Sequence, residues 1–325
     1  YLLGFLAYAY ALGAAERYAA SRCSYIFCQV TALSFSLAFT LAAILCKETG
    51  VTLPLLCAAW DTLIHSRVHP LHAMHALAHL LLTPLLRPGV LPPPPWTASP
   101  PSPPSPPSPP SPGRSAVAAL LCRIAALAIG TAAVCAWRLS LNGSSRASFN
   151  AFENPAAHHP HPLFRALSIA WVWVEYAWTV FVPSALCCDW SHPALPPLSS
   201  LHDPRLPVLL AAVAGWTALI YHAAFGGDKP RARVLMCVAF GVLPFALASN
   251  LLTLVGTSKA ERLLYLPSLG GTMALALGLE ACGRSWKAPE AFGSPRTSRL
   301  SSRAGASIVL GAAIVGAYAY QCAWY

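Results

Sequence analysis

The sequence predicts an all-α polytopic membrane protein: a bundle of about seven to nine transmembrane helices, with re-entrant or interfacial segments between them. Three observations predict this class. Hydrophobic residues make up 56% of the chain and charged residues only 10%, where soluble domains carry about 25%. The mean hydropathy is +0.54. Apolar runs long enough to cross a bilayer recur along the chain, separated by short polar connections. The net charge of +10 does not call for a nucleic-acid partner, because the basic residues are scattered between apolar runs and form no patch interleaved with aromatics. Positive-inside loops account for it.

Taken in order, Tyr1 to Ala15 is an apolar run too short for a complete span, and the chain, opening there without methionine, is expected to be a fragment of a longer polypeptide. Glu16 to Arg22 is a basic loop, and Tyr25 to Cys46 is long enough to cross. It stops at CKETG, and Val51 to Ile64 returns as a shorter run. His65, His69, His72, His75 and His79 then recur at helical spacing; an amphipathic interfacial helix is the first expectation and an imidazole metal site the second. Pro92 to Pro112 is an extended polyproline-like spacer without a core of its own. Ser115 to Leu139 is the next span, interrupted by Arg123, a charge expected either to face other helices or to snorkel to the headgroups.

A polar segment follows from Ser140 to Pro162. Arg165 to Cys188 is apolar and aromatic, with Trp171, Glu175 and Trp178 on one helical face. Arg205 to Ala224, Arg233 to Gly256, Leu263 to Cys282 and Ser307 to Trp324 read as spans, and Gly283 to Arg303 as a disordered basic tail. The domain organisation is therefore 1–86, N-terminal membrane helices; 87–114, a Pro/Ser-rich linker; 115–282, a membrane core with a polar loop over 140–205; 283–304, the basic segment; and 305–325, a last helix. All four basic connections fall on one face only if Arg165 to Cys188 does not cross completely, so it is read as re-entrant or interfacial. The other face then receives CKETG, the stretch from Asn142 to His202 and the turn SKAER. Asn142 begins an Asn-Gly-Ser glycosylation sequon on that face.

Polar residues in so apolar a chain are the candidates for chemistry. Lys259, Glu261 and Arg262 sit where two apolar runs meet. They could anchor helix ends at the headgroups, or form an anion site in which a guanidinium forks onto phosphate, an ammonium adds a point charge and Glu261 orients the guanidinium. Lys47 and Glu48 could be a simple ion pair, or Lys47 could complete that cationic pocket with Glu48 as a further orienter. Asp189 beside Trp190 can hold a sugar by hydrogen bonds and stacking, or serve as an interface anchor. Glu175 could be an acid or base, or the internal partner of Arg123. Asn154, followed by Pro155, suits a rigid turn. Of the eleven cysteines, Cys46, Cys57, Cys122, Cys135 and Cys237 lie in apolar runs and read as small buried hydrophobes, and the lack of a CxxC pair argues against zinc or redox work. No metal and no cofactor are expected.

The segments CKETGVTLPLLCAAWD, RLSLNG with SFNAFENPAA, PSALCCDWS, and ASNLL with KAERLLYLPSLG, in that order, resemble the transmembrane and tetratricopeptide-repeat-containing O-mannosyltransferases of the endoplasmic reticulum. The resemblance covers roughly Tyr25 to Ile64 and Ala116 to Cys282. It implies a multi-pass glycosyltransferase of the GT-C type with a lumenal active site. Dolichyl-phosphate mannose would be the donor, and Ser or Thr hydroxyls of secretory-pathway proteins the acceptors. It further implies a catalytic carboxylate in a first lumenal loop, which would lie upstream of Tyr1. Tetratricopeptide repeats would follow the membrane part, and no repeat of about 34 residues occurs before Tyr325. On this reading Arg262, Lys259 and Lys47 bind the donor phosphate, while Glu261, Glu48, Asp189, Trp190, Glu175 and Asn154 orient them or contact the sugar. The competing class is a non-catalytic scaffold or a lipid or solute transporter of the same descent, although the paired halves of a transporter are not visible.

Overall fold

The computed structural model describes residues 1–18, 22–69, 73, 76, 78, 114–142, 149–184, 186–191, 194–226, 230–285, 311–313 and 315–316. The proline-rich linker, His72, His75 and His79 of the spaced histidines, nearly all of the basic segment and most of the last expected span lie outside these residues. The chain divides into two compact units, residues 1–146 with 227–236 and residues 147–226 with 237–325. Helices dominate both, and among the described residues three are long and apolar enough to cross a membrane, Cys23–Cys46, Ala116–Leu141 and Leu206–Phe225. The molecule is thus a largely helical membrane protein.

In the first unit, α1 (Leu2–Tyr18) packs along α2 (Arg22–Cys46). The CKETG segment turns the chain back through a 3-10 turn over Glu48–Thr52 into the short helix α3 (Leu53–Trp60), with Pro54 in its first turn, where the missing N–H costs nothing. The reversal is tight: a side chain at Gly50 would lie 2.5 Å from the Ala43 carbonyl carbon and from the Ile44 nitrogen. A wide helical turn, Asp61–His65, continues α3, and α4 (Arg114–Asn142) completes the unit.

Arg123 of α4 is buried and faces other helices. Its Nε lies 2.7 Å from Asp61 Oδ2 and its Nη2 2.9 Å from Asp61 Oδ1. Tyr8 donates its hydroxyl to Asp61 Oδ2 at 3.0 Å and Ser66 donates to Oδ1 at 2.8 Å. Arg123 therefore has Asp61, not Glu175, as its partner. Two lone opposite charges in separate apolar runs are each too costly to bury alone and are driven together.

In the second unit, α5 (Pro162–Phe181) buries Val172 and Tyr176 against Ala156, Leu264 and Phe245. A long connection containing β1 (Asp189–Trp190) leads to α6 (Leu206–Phe225). The expected span from Arg233 to Gly256 is not continuous. Helix α7 (Pro230–Val242), of which only the part from Cys237 belongs to this unit, stops just before Pro244, which has no N–H to give and clashes with the preceding turn. Thirteen residues rise only about 20 Å, short of a full crossing. The remainder, still apolar in composition, folds into a 3-10 turn at Ala246–Ala248 and a loop leading to β2 (Lys259–Ala260). A 3-10 turn over Glu261–Leu264 then feeds α8 (Pro267–Ser285).

Gly270 of α8 sits on the backbone of α7: an added Cβ would lie 2.4 Å from the Cys237 oxygen and 2.5 Å from the Gly241 nitrogen. Gly270→Ala should therefore push these helices apart and destabilise the unit by about 1–3 kcal/mol. Gly241→Ala meets nothing closer than Pro267 O at 4.0 Å and should be neutral or stabilising. Thermal unfolding of the two variants in detergent tests the contrast, and equal melting temperatures would refute the close crossing.

The cysteine expectation needs correction. Cys57 and Cys237 are buried, but Cys46 and Cys122 are exposed and Cys135 is half-buried. In a membrane helix an apolar run need not face protein, so a small apolar residue there can face lipid instead.

Candidate functional site

The site in the second unit begins as a backbone construction. The strands β1 and β2 pair antiparallel, Asp189 opposite Ala260 and Trp190 opposite Lys259. The pairing is extended on both sides by Ser258 N–H donating to Trp190 O at 3.0 Å and Glu261 N–H donating to Cys188 O at 3.1 Å. Helix α5 sets the position of this ribbon, because Ala260 N–H donates to the Tyr176 hydroxyl at 2.7 Å. Tyr176 is in turn fixed edge-on against Phe245 at 4.7 Å between ring centres.

Residues facing each other across a strand pair share a face, and Lys259 accordingly lies over the Trp190 ring, its Nζ 5.5 Å from the ring centre. That ammonium stands between two carboxylates, 3.9 Å from Glu175 Oε2 and 3.9 Å from Glu261 Oε1. Only 5% of Lys259 is accessible, yet among the described residues no acceptor lies within hydrogen-bond distance of its three donors. Burial pulls the Lys259 ammonium below its ordinary pKa, with the attraction of Glu175 and Glu261 opposing the shift.

Glu261 does not orient Arg262. Its Oε1 accepts from the Trp190 indole at 3.0 Å and its Oε2 from Cys187 N–H at 3.1 Å. Arg262, the next residue of a 3-10 turn, is rotated about 120° away and its Nη2 lies 3.2 Å from Asp189 Oδ2. The Arg262 side chain is 59% accessible, whereas Asp189 Oδ1 is buried with no hydrogen-bond partner among the described residues. Six of the residues singled out from sequence, Glu175, Asp189, Trp190, Lys259, Glu261 and Arg262, thus form one cluster.

Asn154 supports the loop leading into this cluster and offers nothing to a ligand, being fully buried. Its amide donates to Asn250 Oδ1 at 3.0 Å and to Val255 O at 2.8 Å, and its oxygen accepts from Ala157 N–H at 3.2 Å. Asn250, at φ 60°, returns a bond from Val255 N–H at 3.0 Å. The loop base is closed by side-chain amides, which tolerate this left-handed geometry. Lys47 and Glu48 belong to the first unit, where both are exposed and neither makes an ion pair with a described residue. Asn142 is the last residue of α4; its side chain and the rest of its sequon lie outside the described residues.

Sequence reasoning missed the Asn154–Asn250 brace, the Tyr176 tether and the role of Asp61. Only Asp61 left a readable signal, as an acid inside an apolar run with a complementary base in another. Among the described residues no cluster of three or more His, Cys, Asp or Glu could hold a metal ion.

Residues 143–219, which contribute α5, β1 and most of α6, match the family model described as "Protein O-mannosyl-transferase TMTC, DUF1736". The chain is 30% identical over 252 residues to Protein O-mannosyl-transferase Tmtc3 of Drosophila melanogaster, covering 76% of this chain and 26% of the relative. It is 31% identical over 246 residues to Protein O-mannosyl-transferase TMTC4 of Mus musculus, covering 75% and 30%. A shorter stretch of 159 residues, 49% of this chain and 17% of the relative, is 35% identical to TMTC3 of Mus musculus. The chain thus spans less than a third of the length of these relatives. No solved structure matches it. On the matched segment and these relatives, the chain belongs to the TMTC family of protein O-mannosyl-transferases.

Proposed function

We propose that this chain carries the donor-phosphate end of the active site of a protein O-mannosyltransferase. In this reading the fold is a GT-C bundle of about seven to nine spans in the endoplasmic reticulum membrane. The donor is dolichyl-phosphate mannose, and the acceptors are Ser or Thr hydroxyls of secretory-pathway proteins presented at the lumenal face. The observation that carries the proposal is the Lys259 ammonium, 5% accessible and without a hydrogen-bond acceptor among the described residues, in a site whose other cation, Arg262, is accessible to an incoming anion.

In the transfer step the acceptor oxygen attacks the anomeric carbon and the bond from that carbon to the phosphate oxygen breaks. The hydroxyl proton passes to a carboxylate of the enzyme and the lipid phosphate leaves with the electron pair. Negative charge grows on the leaving phosphate, and cations already aimed there lower the barrier. Lys259 and Arg262 are balanced by Glu175, Asp189 and Glu261, so a phosphate binds by exchange: it takes the guanidinium from Asp189. Asp189 is then free to accept a sugar hydroxyl beside Trp190, while Glu261, held by the indole and by Cys187 N–H, stays in place.

Arg262→Lys keeps the charge but loses the fork that can hold two phosphate oxygens. Transfer of labelled mannose from the mannosyl polyprenyl phosphate to a Ser/Thr peptide, measured in membranes carrying the natural protein, should fall on the order of tenfold. Unchanged transfer would remove Arg262 from this role.

A further inference from the structure

A second feature of the same unit is a cavity along the N-terminal half of α5. The cavity, of about 480 Å³, is lined by Pro162, Arg165, Ala166, Ile169, Ala170, Trp173 and Leu251. These helical residues recur at three- and four-residue spacing, and at 100° per residue Glu175 is turned about 150° from their centre. The outer wall is fixed. Trp173 Nε1–H donates to Ser249 O at 2.8 Å, Leu251 N–H donates to Ser249 Oγ at 3.2 Å, and the two ends of the 250–255 loop are joined by the Asn154 amide. The loop crown stays bare, with Leu251 67% and Leu252 70% accessible. A groove between a rigid helix and a rigid, apolar loop does not close on itself.

We propose that this groove holds one acyl chain of an anionic glycerophospholipid of the surrounding bilayer, with the lipid phosphate on Arg165. Two features select that occupant. Arg165 is the one charged residue of the lining; its Nε–H donates to His159 O at 3.0 Å, and no described residue accepts from its Nη nitrogens. The remaining walls offer almost no hydrogen-bonding groups, so a peptide laid there would bury backbone N–H and C=O without partners, at a cost of several kcal/mol if both were left unpaired. An acyl chain carries no such groups. The site is independent of the donor reading, because it uses neither Lys259 nor Arg262 and none of its lining residues belongs to the cluster. Its effect is to hold α5, and with it the Tyr176 tether of the ribbon, against the membrane.

The test uses the natural protein in nanodiscs of phosphatidylcholine containing a trace of phosphatidylglycerol with a diazirine near the end of one acyl chain. After illumination, adducts mapped by mass spectrometry should concentrate on residues 166–173 and Leu251 relative to the lipid-facing helix α6. Ala170→Trp, which fills the groove, should abolish them. Arg165→Gln alters only an exposed side chain; it should leave acyl adducts in place while lowering the preference for phosphatidylglycerol over an equally labelled phosphatidylcholine by about fivefold. Adducts spread evenly over α6 would overturn the proposal. So would displacement of the label by polyprenyl phosphate but not by phosphatidylglycerol, which would make the groove a seat for the donor's tail. Displacement by a Ser/Thr peptide would make it an acceptor groove and equally defeat the lipid assignment.

Discussion

Asp61→Ala is expected to destabilise the first unit by about 3–5 kcal/mol, enough to leave little folded protein. The reason lies in what the substitution abandons. Asp61 is fully buried and accepts four hydrogen bonds, two from Arg123 and one each from Tyr8 and Ser66. Without it, a guanidinium with 4% of its side chain accessible keeps its charge in an apolar bundle. Only the Ser66 hydroxyl, 3.0 Å from Nη2, remains as an acceptor, and Arg123 Nη1 has no partner among the described residues even in the intact protein. Depth aggravates the loss. Arg123 is nine residues inside α4, on the order of 14 Å along the helix axis, too far for easy snorkelling to water.

The same argument predicts rescue. Asp61→Leu combined with Arg123→Met removes both charges and should recover most of the stability, because a buried ion pair is weak evidence of net stabilisation even though its half-removal is severe. Fluorescence-detected size exclusion of detergent extracts, with a melting series, reads both variants. If Asp61→Ala runs and melts like the natural protein, the quartet is not what holds these helices together.

The history of that quartet shows what composition can reveal. The spans over Tyr25 to Cys46, Ser115 to Leu139 and Arg205 to Ala224 were legible because each is a long, predominantly apolar run without an internal helix-breaking proline beyond its first turn, and helices stand at all three. The run from Arg233 to Gly256 is equally apolar but carries Pro244, and hydropathy alone does not register a missing N–H. Its distal half became the braced loop that supports the site. Pairing is harder to read than position. Glu175 and Asp61 were both acids within apolar surroundings, and only the fold decided that Asp61 meets Arg123 while Glu175 faces Lys259.

Local geometry was harder still. Adjacent residues on a 3-10 turn diverge, so Glu261 and Arg262, neighbours in sequence, serve different partners. The Tyr176 hydroxyl that holds Ala260 is 84 residues away in the chain, and nothing in an aromatic-rich helix marks one tyrosine as a tether. The six clustered residues were legible as chemistry because charge is rare here. Their arrangement was not.

Lys259→Met is expected to lower mannose transfer by about 100- to 1000-fold, the range for removing one preorganised donor from a developing anion. Methionine fills nearly the same volume, and burying it beside Trp190 removes a desolvated charge, so the folded unit should be no less stable; loss of transfer would then report chemistry and not collapse. The pH dependence separates binding from folding because the two have opposite signs. Burial lowers the Lys259 pKa from 10.5, so between the lowered value and 10.5 the unfolded chain binds more protons than the folded one and stability rises with pH. Phosphate binding needs the charged form, so donor affinity should fall as pH rises through that same lowered value. Lys259→Arg keeps its charge throughout this range. It should lose the alkaline fall in affinity while transferring more slowly than the natural protein, since a planar fork does not fit the space of an ammonium between Glu175 and Glu261. An alkaline limb that persists unchanged in Lys259→Arg would assign the titration to another group, and normal transfer by Lys259→Met would leave this ammonium as a structural charge held by its two carboxylates.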